Sequence, residues 1–175
     1  MTLRRVMIRV AVALVFGSSA LADEAPPAEA PPAEANEAVT LVTQYLQRVK
    51  AKKWADAKKL VHPKTLDAIA ERKRRVGRED HPMAPQTYEK SEYYLKEFKV
   101  SGSKPGPLDT VVVQTLEDNY QVEEKGVAEG DAANYLVGRF HGQWYVVDKK
   151  RGGEDFTKDS VKYGYKGYFD PPDAG

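Results

Sequence analysis

From Ala38 onward the apolar positions fall three and four residues apart. Ala38, Leu41, Val42, Tyr45, Leu46 and Val49 make one face of a helix. A shorter run, KWADAKKLV, places Trp54, Ala57, Leu60 and Val61 on one side and predicts a second helix. HPK interrupts it, because Pro63 turns the backbone of His62 away from the helical region. Pro63 also suits the start of a third helix, where its missing N–H costs nothing. That helix carries Leu66, Ile69, Ala70 and Val76 on its apolar side, and Gly77 is placed to end it. REDHPMAPQ (78–86), with two prolines, is expected to be irregular.

Beyond residue 92 the period shortens. YYLKEFKV (93–100) mixes aromatic and β-branched residues with charges and predicts a strand that SGSKPGP stops. TVVVQTLE (110–117) is the most apolar segment and predicts a central strand, and EEKGVAEGD predicts a loop. NYLVGRF (134–140) and QWYVVDKK (143–150) flank His141-Gly142, the two-residue connection of a tight hairpin. Glycine enters positive φ freely, and histidine is among the side chains that tolerate it. Helices followed by about four strands give an α+β chain, with N-terminal helices packed on a curved antiparallel sheet. The hairpin fixes a register in which Phe140 faces Gln143, Val137 faces Val146 and Asp148 lies opposite Tyr135. Trp144 then shares a face with Val146, Val137 and Tyr135. His141 stands at the exposed tip.

The ends of the chain differ in character from the middle. Arg4, Arg5 and Arg9 precede a short apolar run (10–16) and ALA (20–22), the order of a cleaved signal peptide over 1–22. The run is too short for the roughly 20 apolar residues a bilayer span requires. The arginine pair also admits twin-arginine export, but general secretion is the simpler reading. No cysteine follows the cleavage site, so no lipid anchor, disulfide or thiolate site can form. The expected location is the periplasm or the medium, with no transmembrane anchor after cleavage. Residues 23–36 repeat Ala-Pro-Pro-Ala-Glu and predict an extended, disordered tether. The folded domain is expected over 37–151. Residues 152–175 form a tail rich in tyrosine and glycine, with Tyr163, Tyr165, Tyr168 and Phe169 expected to fold back in part.

Net charge is near zero, yet its distribution is lopsided. Residues 48–78 hold 12 basic and 3 acidic side chains, while the remainder of the chain is acidic. Lys52, Lys53, Arg72, Lys73, Arg74 and Arg75 are the candidate anion-contacting residues. A surface of this kind attracts phosphates, anionic glycans or acidic head groups in a salt-dependent way. The acidic segment 117–131 is an alternative, internal partner for the basic helices. Nucleic acid is not an expected partner, because the compartment is wrong and no stacking aromatics interleave the basic run.

The helical opening VTLVTQYLQRVKAKKWADAKKLVHPKTLDAI and the closing hairpin YLVGRFHGQWYVVDKK resemble the nuclear transport factor two-like (cystatin-like) superfamily. The resemblance covers 37–151. It implies an α+β cone whose interior holds small molecules in some members and is non-catalytic in others. It does not by itself choose between those roles. A cone pocket here would be lined by Tyr45, Trp54, Tyr135 and Trp144. Acid–base candidates are Asp67, Asp80, His62 and His81, with Tyr45, Tyr93 or Tyr135 as donors. None of them stands in a catalytic signature, so no catalytic residue is assigned. The three histidines lack ligand spacing, and no metal or cofactor is expected. The function expected is therefore a non-catalytic binding or accessory domain that engages an anionic envelope component or a protein partner. A homodimer through the sheet is a further possibility. The alternative is a small-molecule enzyme or carrier of isomerase, cyclase or dehydratase type using the cone.

Overall fold

The computed structural model describes residues 32–77, 83, 93–121 and 126–159. The expected signal peptide, the start of the tether, Asp80, His81 and the chain after 159 lie outside the described residues. Three helices precede a four-stranded antiparallel open sheet of order β1-β2-β3-β4. The elements are α1 (Pro32–Lys50), α2 (Trp54–Lys58), α3 (Pro63–Val76), β1 (Tyr93–Pro105), β2 (Val111–Gln121), β3 (Gly126–Phe140) and β4 (Gln143–Arg151). The α+β class expected from the sequence is the one observed. Among the described residues no helix is long and apolar enough to cross a membrane.

Helix α1 begins at Pro32, not at Glu37, so the end of the expected tether is helical. Proline is tolerated in a first turn, alanine and glutamate favour the helix, and Glu34 complements its positive end. Ala38, Val42, Tyr45, Leu46 and Val49 are buried, and α1 crosses all four strands. Truncating Leu46 would cost about 2–5 kcal/mol by the usual cavity rule. The helix ends in a Schellman motif. The Lys53 N–H donates to Arg48 O at 2.8 Å, and the Lys52 N–H donates to Val49 O at 2.9 Å. The left-handed residue is Lys52, at φ 56°, where glycine is usual.

Two strand limits differ from expectation. β1 runs on through SGSKP, because a register shift between Val100 and Gly102 absorbs the irregular residues. Pro105 is tolerated there because β1 lies at the sheet edge. The expected loop at 123–131 is mostly strand. Gly130, at φ 69°, makes room for a bulge, and its N–H donates to Asp118 Oδ1 at 2.8 Å. The β3–β4 connection is the expected tight turn, with His141 at φ 47° and Gly142 at φ 80°.

The helix-facing side of the sheet carries the main core, including Val111, Val113, Tyr135, Val137 and Val146. A second, smaller cluster on the outer side joins Val112, Leu136, Val147 and Phe156. Phe156 reaches it on a strap leaving β4. The Gly152 N–H donates to Ala132 O at 2.6 Å, Asn134 Nδ2 donates to Glu154 O at 2.9 Å, and Lys104 Nζ pairs with Asp155 at 2.7 Å. The lysine holds the Asp155 carboxyl below its ordinary pKa. On the other side of β4, residues 60–62 add a short parallel bridge. His62 N donates to Val146 O and Val146 N donates to Leu60 O, which covers that sheet edge.

Candidate functional site

The helix-facing side of β2 alternates Val111, Val113, Thr115 and Glu117, and all four are buried. A carboxylate in this apolar row demands compensation, since an uncompensated buried charge costs several kcal/mol. Three side chains supply it. Tyr135 Oη on β3 donates to Glu117 Oε1 at 2.6 Å, and Thr115 Oγ1 donates to the same oxygen at 3.0 Å. Lys149 Nζ on β4 donates to Glu117 Oε2 at 2.7 Å. The ammonium also stands 5.4 Å from the Tyr135 ring centroid, which adds a cation–π attraction. Tyr45 of α1 closes the group from above, edge-on to Tyr135 at 6.1 Å. Charge is balanced within the cluster, and its carboxylate oxygens are engaged by donors from β2, β3 and β4.

Lys149 reaches this cluster through a bulge. Val137 faces Val146 as expected, but Leu136 faces Asp148, with Val147 as the extra residue. Asp148 is therefore opposite Leu136 and not opposite Tyr135, where Lys149 stands instead. The Asp148 carboxylate accepts from the Lys149 amide at 2.7 Å. The expectation that Asp148 shares the Tyr135 face is corrected by this one-residue shift. Sequence reasoning passed over Thr115, Glu117 and Lys149. The signal was present in the alternation of TVVVQTLE, which puts Glu117 on the same face as three core residues.

Of the four expected pocket-lining residues, Tyr45, Trp54 and Tyr135 are buried within the core. Trp144 is half-buried on the helix-facing side, next to α1. Its indole N–H donates to Glu37 Oε2, and it lines an open groove of about 400 Å³ with Asn36, Glu37, Thr40, Leu41 and Gln44. The Arg139 guanidinium lies 6.0 Å from the Trp144 ring and donates to Gly142 O. Groove and buried cluster share no described lining residue.

The remaining candidates are dispersed. Asp67 is exposed on α3. Tyr93 opens β1. His62 caps α3: its Nδ1 accepts from the Lys64 amide at 3.2 Å. Burial lowers the His62 pKa, with Lys64 and then His141 adding like-charge repulsion. His141 stands exposed at the turn as expected. Among the described residues no cluster of three or more His, Asp or Glu side chains is arranged to hold a metal ion.

The basic residues fall on two elements. Lys52 and Lys53 are exposed in the α1–α2 turn. Arg72, Lys73, Arg74 and Arg75 occupy the last turns of α3, past Ile69, and are exposed. Lys73 O accepts from the Gly77 amide, with Gly77 left-handed at φ 68°. Cations at a helix C-terminus complement its dipole, so part of this pattern serves the helix itself. Glu117 pairs with Lys149, and Lys50 pairs with Glu97 of β1 at 2.6 Å. No known protein family, curated protein or solved structure matches the chain.

Proposed function

We propose that this chain is a secreted, non-catalytic binding domain of the nuclear transport factor two-like kind. It engages an anionic component of the cell envelope through the basic end of α3 and the α1–α2 turn. The observation that carries the reading is the exposure of Arg72, Lys73, Arg74 and Arg75 together on the last turns of α3. Four adjacent cations raise the local potential and draw polyanions over a Debye length, about 8 Å at physiological salt. The experiment is retention on an anionic matrix. The wild type is expected to elute early as salt rises, and the variant with all four residues changed to glutamine to pass unretained at low salt. Equal retention of the two proteins removes the proposal.

A second reading, a small-molecule enzyme or carrier, is favoured by one observation. Glu117, Tyr135 and Lys149 place an acid, a phenol and an amine together on the helix-facing side. Under the binding reading, Glu117→Gln leaves matrix retention unchanged. A small molecule that is displaced from the wild type and not bound by Glu117→Gln would support the second reading instead.

A further inference from the structure

Among the described residues, Thr65 and Ile69 are the buried side chains of α3, with Leu66 partly covered, and His62 joins its start to the sheet. Thr65 Oγ1 donates to Val147 O at 2.7 Å. His62 N donates to Val146 O at 2.9 Å, joining the start of α3 to β4. The His62 ring is 1% exposed. It meets Phe140 edge-on at 4.7 Å and Tyr145 at 5.6 Å. From that position Nδ1 accepts from the Lys64 amide and satisfies one N–H of the first helical turn.

An accepting Nδ1 fixes the ring as the neutral tautomer with its proton on Nε2. Imidazolium has two donors and no acceptor, so protonation turns an N–H toward the Lys64 N–H and abolishes the cap. It also places a cation in a buried site. Lys64 on α3 and His141 in the β3–β4 turn are the charges that act on the ring, and both oppose a further positive charge. Asp148 on β4 has its Oδ1 on the Lys149 amide, Arg139 on β3 is tied to Gly142 O, and Lys59 beyond α2 is paired with Asp56.

We propose that His62 is an acid-sensitive latch: protonation of its ring uncaps α3 and releases that helix from the sheet edge while the four strands stay paired. The sign follows from linkage. Burial, Lys64 and His141 hold the folded-state pKa below the ordinary histidine value. The latched state is therefore fully favoured above about pH 6.5 and loses stability as pH falls through the depressed pKa. The latch does not depend on what α3 binds.

The test is residue-resolved amide exchange on the full chain between pH 7.5 and 5, expressed as protection at each pH, with the His62 Nδ1 shift followed in the same samples. In the wild type, protection of the α3 amides is expected to fall by up to about tenfold per pH unit from about pH 6.5 down to the His62 midpoint, the slope of one proton, and to level off below it. The Val113 and Tyr135 amides should keep theirs. His62→Asn supplies a capping acceptor that does not titrate, so its α3 protection should be flat with pH. His141→Asn keeps the cap and removes a neighbouring charge, so its midpoint should move upward with the loss intact. If His62→Asn does not fold, a loss of α3 protection in the wild type that levels off at the ring midpoint decides the matter, and a loss unrelated to that midpoint refutes the latch. The latch is refuted if His62 titrates with α3 protection unchanged. It is equally refuted if α3 and the strands lose protection together, or if His62→Asn follows the wild-type slope.

Discussion

Glu117 and Lys149 give the sharpest energetic prediction. The carboxylate is fully buried and the lysine side chain is 13% exposed, so the pair lies in a low-dielectric setting. Lys149→Met leaves a buried carboxylate without its ammonium partner, while the hydroxyls of Tyr135 and Thr115 still donate to it. Breaking a pair of this kind costs about 3–5 kcal/mol. Glu117→Gln is milder: its amide oxygen still accepts from both hydroxyls, and the lysine head can turn toward water, so about 1–2 kcal/mol is expected. The double variant buries neither charge and should lose only about 1–2 kcal/mol in total, since a neutral amide beside a thioether carries no ionic desolvation. The coupling energy is then about 2 kcal/mol or more, with the double variant more stable than the sum of the singles. Urea unfolding at pH 7 measures it, followed by fluorescence of Trp54 and Trp144 and by far-ultraviolet dichroism. Additivity within about 0.5 kcal/mol would show that the two groups do not share a desolvated site, and the reasoning fails.

Two further predictions concern backbone geometry. Lys52→Gly relieves a left-handed lysine at the end of α1 and should raise stability by about 1 kcal/mol, read as a higher urea midpoint at unchanged slope. Gly152→Ala would set a Cβ 2.2 Å from Ala132 Cβ and 3.0 Å from Ala132 O, on the strap that crosses β3. It should cost about 1–3 kcal/mol and raise amide exchange at Gly152, whereas equal stability would mean that the strap does not need its close approach.

The parts of the fold that were legible are those set by strong local rules. The three-four spacing from Ala38 to Val49 identified the buried face of α1, and Pro63 with Gly77 bounded α3. His141-Gly142 fixed the hairpin and the pairing of Val137 with Val146. Strand ends were less legible because glycine in SGSKP and KGVAEG is read as a stop, whereas in the sheet it absorbs bulges at Gly102 and Gly130. Glu37 is a comparable case. Its carboxylate holds the Trp144 indole across 107 residues of sequence, a separation that no local pattern reports.

The Val147 bulge explains why the cluster on the helix-facing side escaped a strictly alternating reading of β4. In an unbroken ladder from the His141-Gly142 turn, Asp148 would face Tyr135 in place of Lys149. Glu117 would then keep a buried carboxylate without the ammonium that now pairs with it. One extra residue moves Asp148 opposite Leu136 and brings Lys149 opposite Tyr135, within 2.7 Å of Glu117. Alternation alone places the Val147 side chain in the outer cluster with Leu136 and Phe156, and at the bulge its carbonyl accepts from Thr65 of α3. A single irregularity thus settles the charge pairing inside the sheet and one anchor of the helix that carries the basic residues. Alternation fixes which residues of a strand share a face only as far as the next bulge, and a charge in an apolar row, as at Glu117, is the sequence signal for seeking its counter-ion on either side of that step.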